Sequence, residues 1–166
     1  MLYYSGEVIT IRDRAMKRII EEGSPVDISG KLVYIAGPIV RGDVISCGPT
    51  TATRVEPLIY EFIKLTRPRY IVGKGPLYEN MERAAREFGT IYALFPGGFG
   101  ALAAKRLRVI KNIRPELGMP ESIWLLEAHR FGPLIPVIYK EGERVINLLR
   151  EVEERAKERF SRMFNS

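Results

Sequence analysis

The sequence predicts an α/β fold, a mixed β-sheet flanked by helices, and three observations carry that prediction. Short apolar runs of strand length alternate with amphipathic stretches of helical period along most of the chain. Glycine-rich loops fall where several of those runs end, at 73–75 and 96–100 and between 37 and 49. The last two strand-like segments, 123–128 and 134–139, have no helical stretch between them, so the sheet is expected to be mixed.

Taken in order, residues 6–12 alternate as a strand, and 13–22 continue as an amphipathic helix that Gly23-Ser24-Pro25 breaks. Lys31–Gly37 (KLVYIAG) is a nearly unbroken apolar run, the mark of a strand buried on both faces. From Pro38 to Pro49 the glycines and prolines predict a long loop, and loops of that length tend to carry function. A helix should start near Thr51, with Val55, Leu58, Ile59, Phe62 and Ile63 at helical spacing and Pro57 in its first turns, where proline is tolerated. Arg69–Gly73 reads as a strand, Glu79–Phe88 as a helix, Thr90–Phe95 as a strand and Ala101–Leu107 as a short helix. Strands are expected at Val109–Ile113, Ile123–Ala128 and Leu134–Tyr139, followed by a turn at Glu141-Gly142 and a polar helix over Glu143–Phe160.

A chain of 166 residues fits one domain, and its 46% hydrophobic and 28% charged residues are those of an ordinary globular protein. No apolar stretch approaches the roughly 20 residues of a membrane-spanning helix. The opening MLYYSGEVITIRDR lacks the basic-then-apolar layout of a signal peptide, and a cytoplasmic location is the expectation. Cys47 and His129 are the only residues of their kinds, too few for a cluster or a structural zinc site. Any such centre must come from a partner. The net charge of +6 admits nucleic-acid binding, but Lys and Arg are spread along the chain and mixed with Glu, without a dense basic patch. A basic pocket for a small dianion accounts for the excess equally well. The absence of glutamine beside abundant Glu, Lys and Arg hints at a thermophilic source.

The chemistry-bearing residues fall where strands end, the place where open α/β sheets collect ligands. Arg12 ends the first strand, SCGPTTATR (46–54) leads from the long loop into a helix, Gly73-Lys74-Gly75 ends another strand, and PGGFG (96–100) opens a further helix. Free N–H groups at helix starts and threonine hydroxyls attract anions. Arg54 lies one turn from Thr50, and a helix beginning at Thr50 or Thr51 would put both on one face. Lys74 between two glycines offers a point charge where backbone can approach a ligand closely. Arg12 can clamp a carboxylate through two donors. Each also has an ordinary reading: Thr50 or Thr51 as an N-cap, Arg54 as a solvated helix charge, Lys74 as a turn residue, and Arg12 as the partner of Asp13 in a surface ion pair. The ordinary reading of Gly97-Gly98 is that it lets a helix pack closely on a strand. Cys47 reads as a small buried or loop residue and His129 as a surface residue. No phosphate-binding glycine fingerprint is present. Pattern alone stops at an anion-binding α/β domain.

The stretches SGEVITIRDRAMKR, YIAGP, GPTTATRVEP, VGKG, GGFGALAAK and ELGMPESIWLLE, in that order, resemble the carboxyl-terminal domain of class I fumarases and the separate beta subunit of their two-chain relatives, tartrate dehydratase included. The resemblance runs from about Leu2 to Tyr139. It implies a swivelling β/β/α-type domain over 1–142; residues 143–166 fall outside the matched stretch and are read from their own pattern as a helical extension packed on the same domain. It implies a beta subunit active only with an alpha subunit whose three cysteines hold a [4Fe-4S] cluster with one iron open to substrate, the pair assembling as an alpha2beta2 heterotetramer.

Residue by residue, Thr50 matches the threonine implicated as the base that exchanges a proton beside a carboxylate. Arg54, Lys74 and Arg12 match ligands of the substrate carboxylates. A departure lies at Thr53-Arg54-Val55-Glu56, where the family commonly has Gly-Arg-Met-Asp. The implied reaction is hydration of fumarate to L-malate, with no nucleic acid or membrane as partner. Dehydration of tartrate, or a non-catalytic anion-binding or assembly module, are the alternatives.

Overall fold

The computed structural model describes residues 1–42 and 44–139. The expected turn at 141–142, the helix over 143–160 and the boundary at residue 142 lie outside the described residues. The order is β1 (Leu2–Thr10), α1 (Asp13–Glu22), β2 (Leu32–Tyr34), β3 (Ile39–Arg41), β4 (Val44–Ser46), a 3-10 turn (Ala52–Val55), α2 (Glu56–Thr66), β5 (Tyr70–Gly73), α3 (Glu79–Phe88), β6 (Ile91–Leu94), α4 (Gly100–Ala104), β7 (Leu107–Asn112), a second 3-10 turn (Pro115–Leu117) and β8 (Trp124–Ile138). The mixed α/β class is as the alternation of elements predicts. Among the described residues no helix is long and apolar enough to cross a membrane.

β1, β2, β5 and β6 run parallel in that order, so their carboxyl ends share one edge. β8 runs antiparallel to both outer members of this set. Its first half pairs with β1 on one side and β7 on the other, and its last residues pair with β6. The sheet thus closes into a five-stranded, barrel-like ring, with β7 extending it on the outside.

Alternation along the strands divides the core in two. Val8, Leu32, Tyr34, Val72, Ala93 and Phe95 belong to one buried cluster with Leu126 and Phe131 of β8. Ile9, Val33, Ile35, Ile71 and Tyr92, one residue out of step, belong to the other. There they join Met16 and Ile19 of α1, Phe62 and Ile63 of α2, and Met81 and Ala85 of α3. Because both faces are covered, Leu32 through Ala36 are all fully buried, which explains the unbroken apolar run. Each large apolar side chain so buried contributes about 1.5–3 kcal/mol.

Several expectations need correction. β1 begins at Leu2, four residues early, and stops at Thr10, so Arg12 is not a strand residue but stands in the N-cap position of α1. Within the 38–49 loop, β3 and β4 form a small antiparallel hairpin. The short helix is Gly100–Ala104, because Leu107 already pairs with Ala128 in the β7–β8 ladder. The two expected last strands are one continuous strand of 15 residues. Arg130 and Gly132, in the stretch left between the two expected segments, adopt positive φ of 51° and 156°, and the strand runs on through them. Gly132 is required there, since a Cβ would lie 2.7 Å from the carbonyl oxygen of Leu2.

Candidate functional site

Four loops meet at the carboxyl edge of the parallel strands. The segment from Cys47 to Ala52 lies across the ends of β2 and β5 and is tied to both by main chain. The Thr50 N–H donates to the Ile35 carbonyl at 2.8 Å, the Lys74 N–H donates to the Thr50 carbonyl at 3.3 Å, and the Ala52 N–H donates to the Lys74 carbonyl at 2.8 Å. Thr51 and Lys74 form a parallel bridge, and Ala36 and Pro49 an antiparallel one. Gly73 permits this closeness, for a Cβ there would sit 3.0 Å from the Cβ of Ala52. The glycine loop after β6 joins the same group. A Cβ on Gly97 would be 3.7 Å from Cδ of Lys74, and one on Gly100 would be 3.3 Å from the Gly48 nitrogen. Close packing on a neighbour is therefore the role of Gly100, against another loop, while Gly97 and Gly98 are exposed.

Two tyrosines reach up from the strands to hold this rim. Tyr34 donates its hydroxyl to the Cys47 carbonyl at 2.9 Å, and Tyr92 donates to the Gly75 carbonyl at 2.6 Å. Burial pushes both phenols above their ordinary ionisation range. Thr53 and Glu56 fasten the next turn: the Thr53 hydroxyl donates to the Pro76 carbonyl at 2.7 Å, and the Glu56 carboxylate accepts the N–H groups of Tyr78 and Asn80, each at 2.9 Å. Thr53 and Glu56 thus hold the loop after Lys74 and the start of α3.

Thr50 is half-buried, and its hydroxyl donates to the Ile35 carbonyl at 3.1 Å. It is not a helix cap. The N-cap position of the turn belongs to Thr51, which makes no side-chain cap bond, and the turn begins only at Ala52. The shared helix face expected for Thr50 and Arg54 therefore does not exist. Lys74 is exposed, and among the described residues its ammonium has no carboxylate partner. Arg54 is ion-paired with Asp13. Asp13 is thus the partner of Arg54, and Arg12 turns instead to Glu121, whose Oε1 lies 3.3 Å from the Arg12 Nε. The structure joins Thr50 to Lys74 through backbone, and Arg54 to the start of α1 through Asp13.

Sequence reasoning gave Asp13 to Arg12 and missed Glu121 and the two tyrosines. Glu121 is 107 residues from Arg14, whose N–H it accepts, and no local pattern announces such a contact. Cys47 is fully buried, and burial pushes its thiol up to about 12. Among the described residues no group of three or more His, Cys, Asp or Glu side chains gathers to hold a metal ion. His129 is exposed on β8 and lines a separate hollow of about 380 Å³ with Lys105, Arg106 and Arg108, which includes none of the four candidate residues.

A barrel-like mixed sheet carrying a GPTT segment against a GKG turn is the pattern of a known class. The family model described as Fumarase C-terminus matches residues 1–148, and the chain belongs to that family. The L(+)-tartrate dehydratase subunit beta of Escherichia coli K12 is 39% identical over 154 residues, covering 88% of this chain and 77% of that protein. A putative L(+)-tartrate dehydratase subunit beta of Methanocaldococcus jannaschii is 38% identical over 157 residues, covering 87% and 80%. A putative class I fumarate hydratase of Geobacillus stearothermophilus is 29% identical over 138 residues, covering 79% of this chain and 27% of that longer protein.

Proposed function

We propose that this chain is the carboxylate-binding beta subunit of a two-subunit hydro-lyase, which hydrates fumarate to L-malate together with an alpha subunit. The observation that carries the reading is the juncture of the GPTT and GKG segments: Thr50 and Lys74 share a main-chain hydrogen bond at the strand-end edge, with the lysine ammonium unpaired by any described carboxylate. The swivelling β/β/α class goes with the same reading, and the closed sheet with helices packed on it supports that assignment.

The reaction removes a proton from a carbon beside a carboxylate and hydroxide from its neighbour, or adds both in reverse. Negative charge builds on the carboxylate as the proton leaves, and fixed cations stabilise it where it forms. Lys74, Arg12 and Arg54 are assigned that part. Thr50 is assigned the proton exchange. Its own proton points at the Ile35 carbonyl, so its lone pairs are left to the site. A threonine hydroxyl is a weak base, and cationic surroundings that favour its alkoxide are what the role requires.

The residues present do not fit an iron–sulfur cluster: the single cysteine is buried, hydrogen-bonded over by Tyr34 at its carbonyl, and held as the thiol. No step is therefore assigned to a cluster on this chain. The reading gives the [4Fe-4S] group to an alpha subunit with three cysteines, in an alpha2beta2 assembly.

A second reading, dehydration of L-tartrate, is favoured by the names of the 39% and 38% identical relatives. Both substrates present two carboxylates to the same cations. Co-expression with the candidate alpha chain, followed by turnover of fumarate, L-malate and L-tartrate, separates them. Preference for fumarate sustains the first reading, and preference for L-tartrate replaces it with the second. A chain that captures no partner and turns over none of the three leaves the non-catalytic module. In the active pair, Thr50→Ala is expected to lower turnover by about 100-fold or more. Near-normal turnover would remove Thr50 from the proton step.

A further inference from the structure

Arg12 is held in an unusual state. Its Nε is buried and has no hydrogen-bond partner among the described residues, although Oε1 of Glu121 stands 3.3 Å away. The pair is within ion-pair range but out of alignment for a hydrogen bond. A buried guanidinium donor left unmatched is costly, and such a group calls for an explanation.

The surroundings supply one. The second oxygen of Glu121 accepts the backbone N–H of Arg14 at 3.2 Å, in the first turn of α1. Glu121 is thus divided between the helix start and the arginine, and it cannot close the two-bond fork that would satisfy Arg12. The loop that carries Glu121 is itself fixed. The N–H groups of Glu121 and Ser122 both donate to the Gly118 carbonyl, at 3.0 and 2.8 Å, and the Trp124 indole donates to the Met119 carbonyl at 2.9 Å. On the other side Gly37 leaves room for the arginine stem. A Cβ there would meet the Pro120 oxygen at 2.8 Å and Cδ and Nη1 of Arg12 at 2.9 Å. Arg12 therefore threads a slot between Gly37 and the loop at 118–122, with a carboxylate beside its Nε.

We infer that Glu121 is a positioning residue for Arg12: it anchors the Nε side of the guanidinium and leaves the remaining donors to a carboxylate of the bound dicarboxylate. A carboxylate that took the whole fork would compete with the ligand. One that is shared with Arg14 orients the cation and leaves it under-committed. This rests on the reading of Arg12 as a carboxylate ligand proposed above, and it adds the residue that aims it.

The test uses the chain assembled with its alpha subunit and the dicarboxylate that the pair turns over. Arg12→Lys is measured first and should raise KM, since a point charge replaces the fork. Glu121→Gln is expected to raise KM about tenfold with kcat changed less than about threefold. In the Arg12→Lys background it should add less than about twofold, because its effect passes through Arg12. Glu121→Asp keeps the charge, retracts it by one methylene and should restore part of the KM. It also takes the place of Glu121→Gln in the comparison if the latter fails to melt cooperatively. On the chain alone, the Arg12 Nε–H resonance in a ¹⁵N spectrum should shift in Glu121→Gln. If Arg12→Lys raises KM but Glu121→Gln does not, or if the two effects are additive, the inference fails and the reading stands. An unchanged KM in Arg12→Lys overturns the reading of Arg12 and the inference with it, even where the Nε resonance shifts.

Discussion

On one flank of the strand-end edge, from Cys47 to Gly75, main chain is tied to main chain; on the other, from Arg12 to Glu121, side chains do the holding. The first flank has three backbone hydrogen bonds among Ile35, Thr50, Ala52 and Lys74, with tyrosine hydroxyls closing on Cys47 and Gly75. The second has an ion pair without hydrogen-bond alignment at Arg12 and another, half-exposed, between Arg54 and Asp13. Backbone bridges keep their geometry whatever the charge state of the site. Ion pairs of this kind leave guanidinium donors over for a ligand's carboxylates. The contrast suits a site in which one side must stay put and the other must accept a charged substrate.

The largest effect is expected on the rigid flank from removing Lys74, which has no carboxylate partner among the described residues. In the assembled enzyme, Lys74→Ala should lower kcat/KM by about 100-fold or more, with melting of the chain nearly unchanged because the side chain is exposed. The same small substitution made on each flank gives the next test. Gly73→Ala should cost about 1–3 kcal/mol, since its Cβ meets Ala52 at 3.0 Å and the bridged strands must part. Gly37→Ala meets the Pro120 oxygen at 2.8 Å and the Arg12 stem, and it should raise KM by displacing the arginine. Calorimetric melting and steady-state kinetics on the two variants should give these opposite emphases. If Gly37→Ala lowered only the melting temperature, Arg12 would not be poised for a ligand.

A loss of similar size, about 1–3 kcal/mol in denaturant titration, is expected for Tyr34→Phe, which strands the Cys47 carbonyl in a buried place. The same group has a pH consequence. Burial raises the Tyr34 and Tyr92 phenols above 10.0 and the Cys47 thiol from 9.0 to about 12. The unfolded chain therefore releases these protons first, and the contribution of these three groups to stability should be constant below about pH 9 and fall as pH rises beyond it. Chemical denaturation from pH 7 to 11 checks the sign, and native Cys47 should resist thiol reagents until the protein unfolds. The smallest effect belongs to Asp13→Asn. Its pair with Arg54 is solvent-screened, and the expected stability change is under about 1 kcal/mol, shrinking further in salt.

Much of this architecture is legible in the order of residues alone. The helices at 13–22 and 79–88 follow from apolar spacing and a glycine stop, and both match their observed bounds. The convergence of the GPTT and GKG segments follows from strand-end position, because parallel strands carry their carboxyl ends to one edge. The hairpin at 39–46 is hidden because its glycine-rich sequence reads as loop. The continuity of β8 is hidden because Arg130 and Gly132 fall between the two expected segments, yet the strand runs on through them. Thr50 reads as a helix cap because a threonine ahead of a helical run usually is one, whereas here backbone bridges to two strands hold it outside the turn.

By itself the sequence determined the α/β class and the family and nominated four residues to follow, since each depends on local spacing or on a short motif that survives out of context. Only the tertiary structure decided who partners whom. The sheet closes through one long antiparallel strand, Asp13 goes to Arg54 and not to its neighbour Arg12, and Glu121 arrives from the far end of the chain to stand beside Arg12. The reason is physical: an ion pair falls off within a few ångströms, and distance in space is set by packing across the sheet rather than by position along the chain.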